Sequence, residues 1–158
     1  MNELLEIEKI KQLKARYFRA LDTNDWQSFS DCLSTDCSAD YGDGEYSFGN
    51  REEIVDFMST NMSADTFLSM HNGHHPEIGV ASDGASATGV WYLQDMILDL
   101  SNNVRLYGTG IYNDKYVKSG DDWKISYTAY ARIFECVEPL GEHHNVIKNI
   151  FTKGANAD

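Results

Sequence analysis

The chain has 158 residues, of which 42% are apolar and 24% are charged, which is typical of one globular domain with a sizeable core. Its net charge of −12 at pH 7 excludes the cationic surface that binding to nucleic acids or anionic membranes requires. No apolar run approaches the roughly 18 residues that a membrane-spanning helix needs.

The cysteines and the N-terminal segment bear on the cellular location of the protein. Cys32, Cys37 and Cys136 are odd in number and have no CxxC spacing, so we interpret them as reduced thiols that pack in the core. The first residues, MNELLEIEKIKQLKARYF, are amphipathic and include acidic side chains, unlike a signal peptide. We therefore expect a cytoplasmic protein.

The first part of the chain has the periodicity of helices. Apolar residues recur every three or four positions from Leu4 to Leu21, which predicts a long amphipathic helix that begins after an N-cap at Asn2 and ends near Asp22. The turn residues DTND follow, and then a short helix over residues 26–33 is predicted.

A hairpin and a third helix are predicted next. The segment SADYGDGEYSFG is typical of a small hairpin with its turn at Gly42 to Gly44. In NREEIVDFMSTNM, Asn50 takes the N-cap position and Glu53 the third helical position, which resembles a capping box.

From residue 66 onward the pattern changes to strands. Segments rich in β-branched and aromatic residues are separated by turn signals: TFLSMHNG, PEIGVAS, SATGVWYLQDMILDL, VRLYGTGIYNDKYVK and DWKISYTAYARIFECVE. Helices followed by strands indicate an α+β domain, with helices on one face of a strongly curved antiparallel or mixed sheet that encloses an apolar pocket. We assign residues 1–140 to this domain and residues 141–158 to a tail, a short helix and then a frayed end.

Three of the five histidines fall within SMHNGHHPEI, which raises the question of a metal site. On an extended strand His71 and His75 would lie about 13 Å apart at roughly 3.3 Å per residue. Zinc binds nitrogen at about 2.1 Å, and no Cys or acidic residue stands at ligand spacing. We therefore predict no metal, with His74 and His75 in the bend before Pro76.

His71 and Asp22 each permit a structural and a functional interpretation. His71 shares a strand face with Phe67 and Ser69, where it is either a packed core residue or a general base in an apolar cavity. Asp22 at a helix C-terminus is unfavourably placed against the helix dipole. It is either a solvated turn residue or a carboxylate that orients a histidine.

Arg132 is the exception on an apolar strand face. Regular alternation places it on the same side as Tyr130 and Phe134, where a guanidinium is costly unless an anion pairs with it. Asp95, which follows the strand GVWYLQ, is a candidate partner. A structural ion pair and a site for a substrate anion both fit this pattern.

The order of these segments resembles the SnoaL-like branch of the NTF2-like superfamily. The likeness covers residues 7–135 and lies in IKQLKARYFRALDTNDWQSF, MHNGHHPEI, ATGVWYLQD, YNDKYVKSGDDWKI and YARIFE. It is greatest for the bile acid 7α-dehydratase type, and scytalone dehydratase and hexachlorocyclohexane dehydrochlorinase are more distant relatives. The resemblance implies an NTF2-like cone. It implies that the catalytic groups are Tyr17, Asp22, His71 and Arg132, and that Tyr41 and Asp95 contact the substrate. We expect Phe67 and Trp91 to add apolar contacts with the substrate.

The resemblance also implies a cofactor-independent lyase, a hydro-lyase that eliminates water from a hydrophobic polycyclic or aromatic substrate. His71 would remove a proton beside a carbonyl and Asp22 would stabilise the imidazolium. A tyrosine would bind the carbonyl or leaving hydroxyl, and Arg132 an anionic or departing group. The alternatives are an isomerase, cyclase or dehydrohalogenase in the same pocket, or a non-catalytic binding protein. The relatives associate as dimers or trimers, so we expect a homo-oligomer, with a trimer slightly favoured over a dimer.

Overall fold

The computed structural model describes residues 2–152. Its helices and strands follow one another along the chain in the predicted order. The helices are α1 (Glu3–Asp22), α2 (Trp26–Cys32) and α3 (Arg51–Met62). The strands are β1 (Leu33–Tyr41), β2 (Tyr46–Phe48), β3 (Phe67–Val80), β4 (Ser86–Asp99), β5 (Val104–Ser119) and β6 (Asp122–Pro139).

The helix starts follow from capping chemistry. Asn2 has the extended backbone of an N-cap, although its side chain makes no capping hydrogen bond. At α3, the Asn50 side chain accepts a hydrogen bond from the Glu53 amide at 3.0 Å, as predicted. The Glu53 carboxylate reaches back to the Gly49 amide at 2.8 Å, one residue before the cap, so the capping box is displaced by one position.

The six strands form one mixed sheet in the order β2-β1-β6-β5-β4-β3. Strands β3 to β6 are the predicted antiparallel meander, and β1 and β2 are the predicted hairpin. The β1 strand lies parallel to β6, which makes the sheet mixed. The prediction of an α+β domain with helices packed on one face of the sheet is confirmed.

Two β-bulges change the predicted course of the strands. SMHNGHHPEI is not divided between two strands but lies within β3, and the bend before Pro76 is a bulge between His74 and Glu77. His75 takes a positive φ of 48° there, which lets the strand continue after the extra residue.

A second bulge lies in β6, where Gly110 pairs with Arg132 but Thr109 pairs with Phe134, so that Ile133 is the extra residue. The prediction that Phe134 shares the face of Arg132 is therefore wrong, because a bulge resets the alternation of side chains.

The core lies between the concave face of the sheet and α1. Residues at helical spacing on α1, including Leu13, Tyr17 and Leu21, are almost fully buried. At Gly73 on β3 the helix comes so close that a Cβ atom would lie 2.5 Å from the Phe18 ring. Only glycine permits this approach of α1 to β3.

The tail contains a short 3₁₀ turn, Ile150–Thr152, and Asn149 ties it to the domain by donating to the Asp65 carbonyl oxygen at 2.7 Å. The frayed end predicted beyond residue 152 lies outside the described residues. Within residues 2–152 no helix is both long and apolar enough to cross a bilayer.

Candidate active site

A cavity of about 310 Å³ lies between the concave face of the sheet and helices α1 and α3. Its wall is aromatic and aliphatic, with a small number of polar groups, which is the composition of a small-molecule site. The lining residues are Tyr17, Leu21, Tyr41, Tyr46, Phe57, Met58, Asn61, Met62, Phe67, His71, Leu93, Asp95, Ile97, Tyr112, Tyr130 and Arg132.

Asp22 and His71 form a hydrogen-bonded pair at this wall. Asp22 Oδ1 lies 2.7 Å from His71 Nδ1, and its Oδ2 accepts the backbone N–H of His71 at 2.9 Å. Ser69 Oγ donates to the same carboxylate at 2.8 Å. With Nδ1–H directed to the carboxylate, the lone pair of the neutral imidazole is on Nε2, which has no hydrogen-bond partner within residues 2–152. The stacked Phe18 ring, with centroids 6.2 Å apart, restrains the imidazole.

Tyr17 and Tyr41 place two phenol groups side by side in the cavity. Their hydroxyl oxygens are 3.0 Å apart, so one donates to the other and one hydroxyl hydrogen remains for a ligand. Burial raises the pKa of both phenols above the ordinary value, so they stay protonated and are hydrogen-bond donors.

Arg132 and Asp95 form a bidentate ion pair, as their positions suggested. Arg132 Nη1 and Nη2 donate to the two Asp95 carboxylate oxygens at 2.6 and 2.8 Å. Arg132 Nε also lies 2.8 Å from Glu135 Oε2, in an ion-pair contact rather than an aligned hydrogen bond. Burial acts to lower the pKa of Arg132, but the hydrogen bonds and charge of Asp95 raise it above its ordinary value, so this guanidinium stays charged.

A buried lysine supports the tyrosine wall from behind. Lys14 is fully buried, with its ammonium 2.8 Å from Asp114 Oδ2 and 3.7 Å from the centroid of the Tyr112 ring. The ammonium also faces Tyr17, at 4.6 Å, which is cation–π geometry. Burial lowers the pKa of Lys14. The signal in the sequence was a lysine at an apolar position of α1, four residues after Ile10.

The structure brings together most of the predicted site residues. Tyr17, Tyr41, Phe67, His71, Asp95 and Arg132 line the cavity, and Asp22 binds His71 from behind. Trp91 is the exception, and its predicted substrate contact is wrong. Its indole is buried in the core, where it donates to the Tyr116 hydroxyl at 2.8 Å, because its neighbours Leu93 and Asp95 fill the part of β4 that faces the cavity.

The other two histidines of the cluster lie elsewhere. His74 and His75 line a hollow of about 560 Å³ formed by Met70, Tyr92, Tyr107 and Phe134 and their neighbours on β3 to β6. We assign the site to the smaller cavity because the Asp22–His71 pair opens there. In the part of the chain that the structure describes, no three His, Cys, Asp or Glu side chains are grouped to hold a metal ion.

The SnoaL-like domain family model matches residues 2–129, which is more than half of the chain. The chain belongs to the SnoaL-like family. Solved structures that match over most of the chain share its fold, which is the NTF2-like fold of the α+β class.

Three solved structures illustrate the similarity. A putative scytalone dehydratase from Novosphingobium aromaticivorans DSM 12444 matches with a TM-score of 0.75 and 17% identity, covering 93% of each chain. The hexachlorocyclohexane dehydrochlorinase LinA-type3 from Novosphingobium barchaimii LL02 matches with a TM-score of 0.76 and 15% identity, covering 91% of this chain and 96% of that chain. ActVI-ORFA from Streptomyces coelicolor matches with a TM-score of 0.67 and 15% identity, covering 80% and 96%. At these identities the structures share a fold with the SnoaL-like protein, and activity is a separate question.

Proposed function

We propose that this SnoaL-like protein is a cofactor-independent lyase of the dehydratase type, which eliminates water from a hydrophobic ring substrate. The observation that carries the proposal is the Asp22–His71 pair, with 2.7 Å between Oδ1 and Nδ1, at the wall of an apolar cavity. A carboxylate in this position holds one imidazole tautomer and stabilises the imidazolium, which makes the other ring nitrogen a base.

The reaction follows from the positions of these groups. His71 Nε2 takes a proton from the carbon next to the substrate carbonyl. The electron pair of that C–H bond forms the new C=C bond while the C–O bond to the β-hydroxyl breaks, and the hydroxide leaves as water after taking the proton from the imidazolium. The tyrosine hydroxyl of the Tyr17–Tyr41 pair that is not donating to its neighbour donates to the carbonyl oxygen, where negative charge develops.

Arg132 has a more limited role in this scheme than the resemblance implied. Its charge is already matched by Asp95 and Glu135, so an anchor for an anionic group is disfavoured. We assign to it the support of Asp95 and a hydrogen bond to a neutral oxygen of the substrate, because Asp95 takes only two of the five guanidinium N–H groups.

The same pocket also supports a second candidate, an isomerase, or a cyclase or dehydrohalogenase that begins with the same proton removal. The engaged state of Arg132 favours the isomerase in particular, because isomerisation releases no departing group that needs an unpaired cation. The similarity to both a putative scytalone dehydratase and a dehydrochlorinase is consistent with either type of elimination.

Replacing His71 by alanine tests the proposal. We expect His71→Ala to lower kcat for dehydration of a bicyclic β-hydroxyketone by about 10²–10⁴-fold, the usual contribution of a positioned base. Ligand affinity, measured by calorimetry, should change only a few-fold because the tyrosine donors remain. His74→Ala is the matched control, since that ring lies at the other hollow, and it should keep wild-type activity.

Mass spectrometry of the product separates the candidates. Loss of one water supports the dehydratase, and an unchanged mass supports the isomerase. Wild-type activity in His71→Ala contradicts both. A protein that binds bicyclic ketones, yet neither converts them nor exchanges their α-protons in heavy water, is a non-catalytic binding protein instead.

Assembly and location belong to the same proposal. We propose a homo-oligomer, a trimer or a dimer with the trimer slightly favoured. Exposed apolar side chains that line one hollow, such as Met70, Tyr92 and Phe134, support an assembly of either kind. The free thiols Cys32, Cys37 and Cys136 support a cytoplasmic location.

A further inference from the structure

The bulge in β6 moves Glu135 to the cavity face of the sheet. Without the extra residue Ile133, Arg132 and Glu135 would lie on opposite faces, because side chains alternate along a strand and the two are three positions apart. The bulge resets the alternation, and Glu135 pairs in register with Gly108 on β5. As a result Glu135 Oε2 lies 2.8 Å from Arg132 Nε.

This contact changes the charge at the polar end of the cavity. Asp95 alone neutralises Arg132 through its bidentate ion pair. Glu135 adds a second carboxylate to the same guanidinium, so the cluster of these three side chains carries a net negative charge. Asp22 contributes a further negative charge whenever His71 is neutral.

No other described residue that lines the cavity offsets this charge permanently. Among the described residues that line the cavity, Arg132 is the one permanent cation. The nearby Lys14 is fully buried behind Tyr17 and Tyr112 and is paired with Asp114. A ligand carboxylate would therefore lose its hydration without gaining a partner and would be repelled by the carboxylates already present.

We propose that Glu135 is a specificity-determining residue, which makes the cavity select a neutral ketone over a carboxylate of the same ring size. The inference rests on the proposed function only in taking the same cavity as the ligand site. At about 310 Å³ the cavity is at the lower end of the range for ligand pockets, which suits a molecule of one or two rings. The two Nη hydrogens that neither Asp95 nor Glu135 faces donate to the neutral oxygen of such a ligand.

A pair of isosteric probes without a leaving group tests this selectivity. β-Acetylnaphthalene carries a neutral carbonyl, and β-naphthoate carries a carboxylate on the same ring system. Titration calorimetry of the full chain should show that the wild type binds the ketone at least about tenfold more tightly than the carboxylate. Glu135→Gln should raise the affinity for β-naphthoate by about tenfold and leave that for β-acetylnaphthalene within a few-fold; solvent screening of the 40% exposed Glu135 side chain limits the effect.

Glu138→Gln is the matched control. It removes the same charge from the same strand three residues later, where Glu138 pairs with Arg105 instead of Arg132. This variant should keep the wild-type preference, which separates the local contact from the change in net charge. Equal wild-type affinity for the two probes, or an unchanged preference in Glu135→Gln, overturns the proposal. Binding of neither probe overturns it too, and the dehydration assay then decides separately whether the proposed function stands.

Discussion

At the residue scale, a few contacts decide which polar side chains form the site. Asp22 lies at the C-terminus of α1, where the helix dipole disfavours a negative charge. Three hydrogen bonds from Ser69 and His71 compensate for this position. The same contacts distinguish His71 from His74 and His75, which have no comparable carboxylate in hydrogen-bond contact within residues 2–152.

Gly73 controls how closely α1 approaches that pair. A Cβ atom at this position would lie 2.5 Å from Phe18 Cε2, and the Phe18 ring stacks on His71. Gly73→Ala should therefore lower the free energy of unfolding by about 1–3 kcal/mol, the usual cost of overpacking a core. Urea denaturation followed by fluorescence measures this change, and turnover should fall with it because the imidazole is displaced.

Gly79→Ala on the same strand is the control for the alanine side chain itself. Its Cβ would meet only Thr88 Oγ1 at an ordinary 3.7 Å. Wild-type stability is expected for this variant. If Gly73→Ala is as stable as Gly79→Ala, the steric explanation for Gly73 is wrong.

At the element scale, α1 is fastened to the sheet at both ends. The C-terminal end is held by Asp22, and the N-terminal end by Glu6. The Glu6 carboxylate accepts a hydrogen bond from the Trp123 indole at 2.7 Å and lies 2.9 Å from the Lys118 ammonium. These two residues flank the turn between β5 and β6, so Glu6 joins the start of α1 to the β5–β6 turn.

The Glu6 contact predicts how stability depends on pH. Hydrogen bonds from Lys118 and Trp123 lower the pKa of Glu6 to about 2 in the folded chain. Because this value lies below the unfolded value of about 4.3, the contact stabilises the folded state above pH 5 and is lost as the pH falls toward 2. Denaturation at several pH values should show Glu6→Gln less stable than the wild type at pH 7, with the difference shrinking steadily below pH 5.

Glu8→Gln is the comparison for that experiment. Glu8 pairs with Lys11 on the exposed side of α1, at 3.8 Å. Its removal should change the free energy of unfolding at pH 7 by less than about 0.5 kcal/mol. A difference between Glu6→Gln and the wild type that does not vary with pH would contradict the assignment of the pKa to this contact.

At the scale of the whole molecule, the sheet leaves apolar side chains exposed. Met70, Tyr92 and Phe134, which line the hollow of about 560 Å³, are 40%, 44% and 51% exposed. A contiguous apolar patch of this kind on a folded domain usually marks a surface that contacts another molecule. Burial between copies of the chain is the explanation that we propose.

Sedimentation velocity tests this proposal. We expect a species at a multiple of the 17.9 kDa chain mass, with three copies favoured over two. Phe134→Glu, which places a charge in the patch, should shift the protein toward single chains while circular dichroism stays unchanged. A wild-type species at 17.9 kDa would rule out the oligomer.

The order and type of the elements were determined by the sequence alone. The spacing of apolar residues on α1, the Asn50 cap and the turn signals between strands are local features, and local chain geometry responds to them directly. Of the eight predicted site residues, six line the cavity and Asp22 binds His71 from behind. A resemblance to a family was needed to choose these residues from the sequence.

Only the tertiary structure decided how these residues meet. Asp22 and His71 are separated by 49 positions and Asp95 and Arg132 by 37, and no local pattern specifies contact across such distances. The bulge at Ile133 has no signal of its own in the sequence, yet it moves Phe134 away from the cavity face and brings Glu135 to Arg132. The face on which a strand side chain lies depends on its register with the neighbouring strand, and that register is set by the packing of the whole sheet.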